Sequence, residues 1–219
     1  MLSVIIPTKE EPLIQELADK IHECISMEHE IIVVDKSAHP VVVNGARVLR
    51  QQSDGLGNAF MEGLKAARGD VIALMDGDFS HDPRDLEYML GFIKNYDIVI
   101  GSKRIKGGKT EDPLIRRLVT VVTGNTIRLI TGLQVKDPMT GFAVMKHGIF
   151  DGMVLRPRGY KIVLEIMYKA KKRGFTLHEA PITFHARKAG ESKVGLNMKG
   201  TSELLRIIKL AIDLRRGKI

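Results

Sequence analysis

The most constraining feature of this sequence is a run of five apolar residues, 71–75, followed directly by Asp76-Gly77-Asp78. A short, continuous apolar run is typical of a strand that is buried on both faces. The carboxyl end of such a strand opens into the crevice where open α/β sheets bind ligands. Two aspartates there can hold a divalent cation whose remaining ligands are water and substrate phosphates. Because Asp and Gly are also common turn residues, a simple polar turn is the alternative.

Strands and helices are predicted to alternate through residue 101. The predicted strands span residues 3–7, 30–35, 47–50, 71–75 and 97–101. Helical patterns begin at Pro12, after Gly55 and after Asp82-Pro83, where Asp82 is the expected N-cap. This alternation predicts an α/β fold with a mostly parallel central sheet and helices on both faces. The loops that follow the strands should therefore converge on one crevice.

The second half of the chain differs from the first in its predicted elements and in its charge. Two amphipathic helices are predicted at 113–133 and 201–216, a helix at 160–173 and a strand at 177–184, with a turn at 137–142 and a loop at 187–193. Residues 161–219 contain fourteen Lys or Arg and five Asp or Glu, whereas the whole chain has a net charge of +8. Basic amphipathic helices can lie in a membrane interface, but packing on the protein core is the alternative for both.

Several functional classes are disfavoured by the composition. The single cysteine, Cys24, excludes a disulfide within the chain and fits a reducing compartment. Neither a dinucleotide fingerprint nor a P-loop is present. A nucleotidyltransferase normally has a glycine- and lysine-rich loop after the first strand. In this chain the corresponding loop is Pro7-Thr8-Lys9-Glu10-Glu11, which is acidic rather than glycine-rich. A nucleic-acid-binding module would interleave cations with stacking aromatics, but there is no Trp and only 5% of the residues are aromatic.

Taken together, the motifs resemble the family 2 glycosyltransferases of GT-A fold, and within them the dolichol-phosphate mannose synthases, which are polyprenyl-phosphate glycosyltransferases. The resemblance is collinear from residue 2 to about residue 215. It is carried by Val4-Ile5-Ile6-Pro7-Thr8 with Glu11, Ile32-Val33-Val34-Asp35, Gly55-Leu56-Gly57, Asp76-Gly77-Asp78 with His81, Gly101-Ser102, Lys106-Gly107-Gly108, Asp137 with Thr140-Gly141-Phe142, Glu165, residues 181–184 and Gly190-Glu191-Ser192-Lys193.

This resemblance implies a role for each matched position. The implied nucleotide-sugar-binding residues are Pro7, Thr8, Lys9, Glu11, Val34, Asp35, Asp76, Gly77, Asp78 and Lys103. Mg2+ or Mn2+ would be held by Asp76, Asp78 and Ser80. The acceptor phosphate would be bound by Lys103, Arg104, Arg187, Ser192 and Lys193, and the catalytic set is Asp76, Asp78 and Arg187.

Several positions depart from the family pattern, among them Lys9-Glu10 after Pro7-Thr8 and Val163 before Glu165. Lys36 replaces a second aspartate, Ser80 replaces a glutamine that helps to bind the metal, and Lys103 replaces an arginine. A lysine is a point charge where an arginine would grip a phosphate with two hydrogen bonds.

The implied reaction is transfer of a hexosyl group to a polyprenyl (dolichyl) phosphate, with mannose from GDP-mannose as the expected donor and inversion at the anomeric carbon. The alternative is a UDP-glucose-dependent enzyme or one with another acceptor. We expect one domain over residues 1–219, with a nucleotide-sugar half at 1–105 and an acceptor half at 106–219. We also expect a peripheral position on the cytoplasmic face of a membrane, through the two amphipathic helices, and no nucleic-acid partner.

Overall fold

The computed structural model describes residues 1–156, 161–186 and 198–219. The strands are β1 (Leu2–Thr8), β2 (His29–Asp35), β3 (Arg47–Arg50), β4 (Val71–Leu74), β5 (Ile98–Ser102), β6 (Lys109–Thr110), β7 (Ala143–Lys146), β8 (Leu177–Pro181) and β9 (Thr183–Phe184). The helices are α1 (Ile14–Cys24), α2 (Leu56–Ala66), α3 (Pro83–Leu90), α4 (Leu114–Thr131), α5 (Ile162–Lys172) and α6 (Met198–Arg215), and a 3-10 helix spans His147–Phe150.

The central sheet has seven strands in the order β3-β2-β1-β4-β7-β5-β8. All neighbouring pairs are parallel except those made by β7, which runs antiparallel to both β4 and β5. The predicted mostly parallel sheet with helices is thus confirmed. Strand β7 was not predicted from the sequence. It joins the two halves of the chain because it brings residues 143–146 between β4 and β5.

The two faces of the sheet are covered by separate apolar clusters. In β1 the side chains alternate, so that Ile5 belongs to one cluster and Val4 and Ile6 belong to the other, as expected for a strand buried on both sides. The Ile5 cluster includes residues of α2, α4, α5 and α6, whereas the Val4 cluster includes residues of α1 and α3. Helices therefore lie on both faces of the sheet.

Local signals explain where several elements begin and end. The Asp82 side chain accepts a hydrogen bond from the Arg84 N–H at 2.8 Å and Pro83 occupies the first turn of α3, so the predicted cap is confirmed.

The strand predicted at 177–184 is divided at Ile182 into β8 and β9. Strand β9 leaves the main sheet and pairs with β6 in a two-stranded sheet.

The two amphipathic helices behave differently. Helix α6 buries Ile207, Leu210, Ala211 and Leu214, each at most 5% exposed. Its apolar side is therefore part of the core, and the prediction of a membrane-facing apolar side is wrong for this helix in the structure. The apolar side of α6 is covered because this helix packs on α4 and α5.

Helix α4 presents the opposite arrangement. Its buried positions include Thr123, Gly124 and Thr131. Its exposed large apolar residues are Leu114, Ile115, Leu118, Val121, Val122 and Leu129, with exposures from 39% to 87%. Across the described residues, no helix combines the length and the hydropathy needed to span a bilayer.

Candidate active-site cleft

A cleft with a volume of about 890 Å³ is lined by residues from several loops that follow strands of the central sheet. Residues 7–12 follow or end β1, Lys36 follows β2, residues 76–78 follow β4, and Lys103 follows β5. The sequence-based expectation that these loops converge is therefore confirmed by the geometry. The position at the carboxyl ends of parallel strands is where α/β sheets bind ligands.

The Asp76-Gly77-Asp78 turn forms one wall of this cleft. Asp78 is 6% exposed and its Oδ1 accepts a hydrogen bond from the Ser80 N–H at 3.0 Å. The turn continues through Phe79, whose φ of 58° lies in the left-handed region and is uncommon for a bulky residue. The side chain of Asp76 is 31% exposed, so its carboxylate is accessible from the cleft.

These residues have the chemistry to hold a hard divalent cation. Both aspartates line the cleft, and the buried Ser80 Oγ has no hydrogen-bond partner within the described part of the chain. In the same described residues, no three side chains of His, Cys, Asp and Glu form a metal-binding group. Two carboxylates that line the cleft, with the Ser80 hydroxyl of the same turn, which does not itself line the cleft, fit Mg2+ or Mn2+ completed by phosphate oxygens and water better than a closed all-protein site.

His81 supports the same turn from the protein interior. Its ring stacks on Phe142 with a centroid distance of 4.6 Å, and Phe184 lies edge-on at 5.7 Å. Burial lowers the pKa of His81, and the negative charges of Asp76 and Asp78 oppose this only in part. The imidazole Nδ1 accepts a hydrogen bond from the Asp76 N–H at 3.2 Å. His81 therefore holds the Asp76 backbone in position.

The structure separates the predicted nucleotide-sugar-binding residues into two groups. Pro7, Thr8, Lys9, Glu11 and Gly77 line the cleft as predicted. Val34 and Asp35 do not line it. The side chain of Val34 is part of the core beside Gly63.

Asp35 is buried beneath local hydrogen bonds instead of being presented to a ligand. It is 1% exposed, and its Oδ1 accepts hydrogen bonds from Ser37 Oγ at 2.6 Å and from Ser37 N at 3.0 Å. Lys36, next in the chain, lines the cleft and forms an ion pair with Asp54 at 3.2 Å. At the end of β2 it is therefore Lys36, and not Asp35, that lines the cleft.

Lys103 enters the cleft with a fixed geometry. Its Nζ lies 2.6 Å from Asp112 Oδ2 and 3.8 Å from the centroid of the Phe184 ring. The other oxygen of Asp112 lies 3.2 Å from Arg116 Nη1, and Thr110 Oγ1 donates to Asp112 Oδ2 at 3.0 Å. Burial alone would raise the pKa of Asp112, but the bonds and charges of Lys103 and Arg116 outweigh it and hold this pKa below its ordinary value.

Arg104 is directed away from the cleft, contrary to the predicted role in binding the acceptor phosphate. Its Nη2 donates to Asn125 Oδ1 of α4 at 3.0 Å. A Cβ on Gly124 would lie 2.1 Å from Arg104 Nη1, so only glycine leaves room for the guanidinium at this point of α4. The structure therefore gives Arg104 the role of joining the loop after β5 to α4.

Sequence reasoning missed several charged groups that line the cleft, among them Asp112, Arg116 and Lys161. The spacing of Asp112 and Arg116, four residues apart at the start of a helix, was an available signal. Asp137, which belongs to one of the motifs that carry the resemblance, also lines the cleft. Burial raises the pKa of the Asp137 carboxyl, although the Lys103, Lys161 and Arg104 charges oppose the shift.

The predicted phosphate-binding residues Arg187, Ser192 and Lys193 lie outside the described residues. The segment that leads to them does reach the cleft, because His185 and Ala186 line it. The His185 N–H donates to Ser80 O at 3.0 Å and the Ala186 N–H donates to Glu111 Oε2 at 2.8 Å. These bonds fix the chain beside the Asp78 turn immediately before Arg187.

Solved structures share this architecture. A structure described as a mycobacterial protein has a TM-score of 0.75 at 20% identity, over 99% of this chain and 75% of that one. Glucosyl-3-phosphoglycerate synthase from Mycobacterium tuberculosis, solved with Mn2+, UDP-glucose and phosphoglyceric acid, has a TM-score of 0.73 at 17% identity, over 99% of this chain and 80% of that one. At these identities the similarity establishes the fold, which is the GT-A-like α/β fold predicted from the sequence.

Curated relatives are closer in sequence. A dolichol-phosphate mannosyltransferase from Pyrococcus furiosus is 34% identical over an alignment of 243 residues that covers 96% of this chain and 67% of the relative. An undecaprenyl-phosphate mannosyltransferase from Micrococcus luteus is 31% identical, with 69% of this chain and 65% of the relative covered. A polyprenol monophosphomannose synthase from Mycolicibacterium smegmatis is 31% identical, with 90% and 82% covered.

The family assignment rests on a match over more than half of the chain. Residues 3–153, which include β1 to β7 and the Asp76–Asp78 turn, match the family described as glycosyl transferase family 2. With relatives above 30% identity along most of the chain, the predicted resemblance is confirmed. The cleft at the carboxyl end of this sheet is the candidate active site, and the chain belongs to glycosyl transferase family 2.

Proposed function

We propose that this chain transfers a mannosyl group from GDP-mannose to a polyprenyl phosphate, with a divalent cation and inversion at the anomeric carbon. The observation that carries the proposal is the shared cleft, in which Asp76 and Asp78 lie in the same space as the cations Lys103, Arg116 and Lys161. The names of the relatives, which are polyprenyl-phosphate mannosyltransferases, support the sugar and the acceptor.

In this proposal the aspartate turn holds the donor diphosphate. Asp76, Asp78 and the unpartnered Ser80 Oγ are the residues that would hold Mg2+ or Mn2+. A bound cation would supply Lewis-acid stabilisation of the negative charge on the departing diphosphate. The hydrogen bond from the Asp76 N–H to His81 holds the Asp76 backbone in position, and the bond from the Ser80 N–H to Asp78 orients the Asp78 carboxylate before a substrate arrives. Preorganised groups of this kind lose little entropy on binding.

The acceptor needs orientation more than it needs deprotonation. The second pKa of a phosphate monoester is about 6, so the group is largely a dianion at neutral pH. One phosphate oxygen forms the new bond to the anomeric carbon as the bond from that carbon to the diphosphate breaks, and the bonding electrons leave with the nucleoside diphosphate. The described cations Lys103, Arg116 and Lys161 are placed to hold this dianion, and Arg187 and Lys193 follow in sequence.

The lipid portion of the acceptor fits the exposed side of α4. This helix begins at the cleft, where Pro113, Arg116 and Thr120 are lining residues. Its exposed side carries six large apolar residues, together with Arg117. An amphipathic helix of this kind can bury its apolar side at the bilayer boundary while Arg side chains contact anionic headgroups. The proposal therefore includes peripheral binding to a membrane through α4, with the cytoplasmic face as the expected side.

The direct test is a donor and metal matrix. The purified protein is incubated with a polyprenyl phosphate and either GDP-mannose or UDP-glucose, with Mn2+, with Mg2+ or with EDTA, and the released nucleoside diphosphate is measured. Release of GDP that needs both the metal and the acceptor supports the proposal. Release of UDP from UDP-glucose, with GDP-mannose inert, would transfer the assignment to the glucosyl alternative.

Membrane binding is tested separately, by flotation with liposomes that contain an anionic lipid. Binding should increase as salt is lowered, and Leu118→Ser combined with Leu129→Ser should reduce it because both leucines are exposed on α4. Leu205→Ser on α6 is the matched control, since Leu205 is exposed to a similar extent, at 64%. If the protein ignored anionic liposomes at low salt, peripheral binding through α4 would be disproved.

A further inference from the structure

A second pocket lies apart from the active-site cleft and shares none of its lining residues. It has a volume of about 410 Å³ and is formed by residues 152–154, Arg156, the C-terminal end of α5 with Arg173, and residues 217–219. This volume is within the range of small-molecule sites. Nothing in the proposed transfer reaction uses this part of the molecule.

The side chains around this pocket are strongly basic. Five of its lining residues are cations: Arg156, Lys169, Lys172, Arg173 and Lys218. Among the described residues that line it there is no Asp or Glu. The remaining side chains are apolar, and they include Met153 and Val154.

Only one of these five charges is compensated by a carboxylate in the described part of the chain. Lys169 Nζ lies 2.5 Å from Glu165 Oε1. The other four cations have no carboxylate partner among the described residues. Like charges that converge on one pocket repel one another, and an anion removes that repulsion.

Two of the cations are already held in place. Arg173 donates from Nη1 to Ile149 O at 3.0 Å and from Nη2 to Asp151 O at 2.6 Å. Lys169 donates to Val154 O at 2.7 Å in addition to its ion pair. Because carbonyl oxygens carry no net charge, the charge of Arg173 remains available to a ligand while its side chain is fixed. Prior fixation of the binding groups reduces the entropy lost on binding.

We infer that this pocket is an anion-binding site for a phosphate-bearing group, separate from the catalytic cleft. Arg156, Lys172 and Lys218 supply exposed donors, and Arg173 supplies a donor that is held in place. Phosphate is the class of anion that best matches several Lys and Arg donors, because it accepts several charge-assisted hydrogen bonds at once. The phosphate group can come from a soluble compound or from a phospholipid headgroup, whose glycerol portion would contact Met153 and Val154.

The experiment uses the whole protein in EDTA, with inorganic pyrophosphate and, separately, phosphatidylcholine vesicles with or without phosphatidylglycerol. Amide resonances of Gly152 and Gly217 report on this pocket, and those of Gly77 and Gly141 report on the cleft. The test variant is Lys172→Gln with Lys218→Gln. The control is Lys65→Gln with Lys94→Gln, which removes the same charge at exposed positions elsewhere.

If the site takes soluble phosphates, pyrophosphate shifts the Gly152 and Gly217 resonances, and the test variant weakens that binding by about tenfold or more, as expected for losing charged hydrogen bonds. If the site takes a headgroup, these resonances ignore pyrophosphate, but the test variant loses binding to phosphatidylglycerol vesicles and the control does not. The inference is overturned if pyrophosphate moves neither pocket resonance and the two variants bind vesicles equally.

Discussion

Asp112 gives the sharpest single-residue prediction, because one carboxylate holds two cations of the cleft. Its side chain is 5% exposed and contacts Lys103 Nζ at 2.6 Å and Arg116 Nη1 at 3.2 Å. Asp112→Asn keeps the size of the side chain but removes the charge and places an amide N–H2 near a cation. The variant therefore removes the interaction without creating a cavity.

The expected loss of stability follows from these two bonds. A hydrogen bond to a charged group contributes about 1.5–3 kcal/mol, but the Arg116 side chain is 32% exposed, so its bond is screened by solvent. The amide oxygen of the variant also retains one acceptor. We expect the free energy of unfolding to fall by about 2–4 kcal/mol at pH 7. With an m-value of about 2–3 kcal/mol/M, the urea midpoint should fall by about 1 M.

The pH dependence of this loss has a definite sign. Lys103 and Arg116 hold the pKa of Asp112 below its ordinary value in the folded chain. The stabilisation of the folded chain by the Asp112 carboxylate is complete above the pKa that Asp112 has in the unfolded chain, about 3.9. It disappears as the pH falls through the lower pKa that Asp112 has in the folded chain. The difference between Asp112→Asn and the natural chain should therefore shrink between pH 7 and about pH 3.

Urea unfolding followed by circular dichroism at several pH values measures both quantities. Asp151→Asn is the matched control, because Asp151 is exposed and its loss should change stability by less than about 0.5 kcal/mol. A loss below about 1 kcal/mol for Asp112→Asn at pH 7, or an equal loss at pH 7 and pH 3, would refute the ion-pair reasoning.

Three further predictions concern the same cleft. Asp78→Asn keeps an acceptor for the Ser80 N–H, so it should leave the melting temperature nearly unchanged. The release of nucleoside diphosphate should fall by about 10²-fold or more, and unchanged release would show that Asp78 has no role in the reaction. Asp137→Asn should stabilise the protein at pH 7, because burial raises the pKa of this carboxyl, and the gain should vanish below a pH of about 4, as thermal melts over pH would show. Gly124→Ala should displace Arg104 from α4 and lower the melting temperature, because the new Cβ would lie 2.1 Å from Arg104 Nη1. Gly148→Ala is the control and should leave the melting temperature unchanged, because the nearest atom to its new Cβ would be 3.8 Å away.

Local sequence information was sufficient for most of the strands and for the aspartate turn. The continuous apolar runs in β1, β2, β4 and β5 predicted buried strands because a parallel strand covered on both faces has no polar side. Asp82-Pro83 predicted the start of α3 because an N-cap side chain and a proline satisfy the first turn without distant contacts. The convergence of the strand-end loops followed from parallel topology alone.

Other features depended on contacts between distant parts of the chain. Strand β7 has only four residues, and it becomes a strand because β4 and β5 offer it hydrogen-bonding edges on both sides. The apolar stripes of α4 and α6 are similar in sequence, but only the tertiary packing decides that α6 is covered by the core and α4 is not. Periodicity predicts that a helix has an apolar side, and it carries no information about what covers that side.

The charged residues divide in the same way. Sequence placed Asp76, Asp78 and Lys103 at strand ends, and the structure brings all three to the cleft. The neighbouring Arg104 reaches Asn125 instead, because Gly124 leaves space for its guanidinium twenty residues away in the chain. A charged side chain takes whichever partner the fold brings within about 3 Å, so its partner is decided by the tertiary structure and not by its position in the sequence.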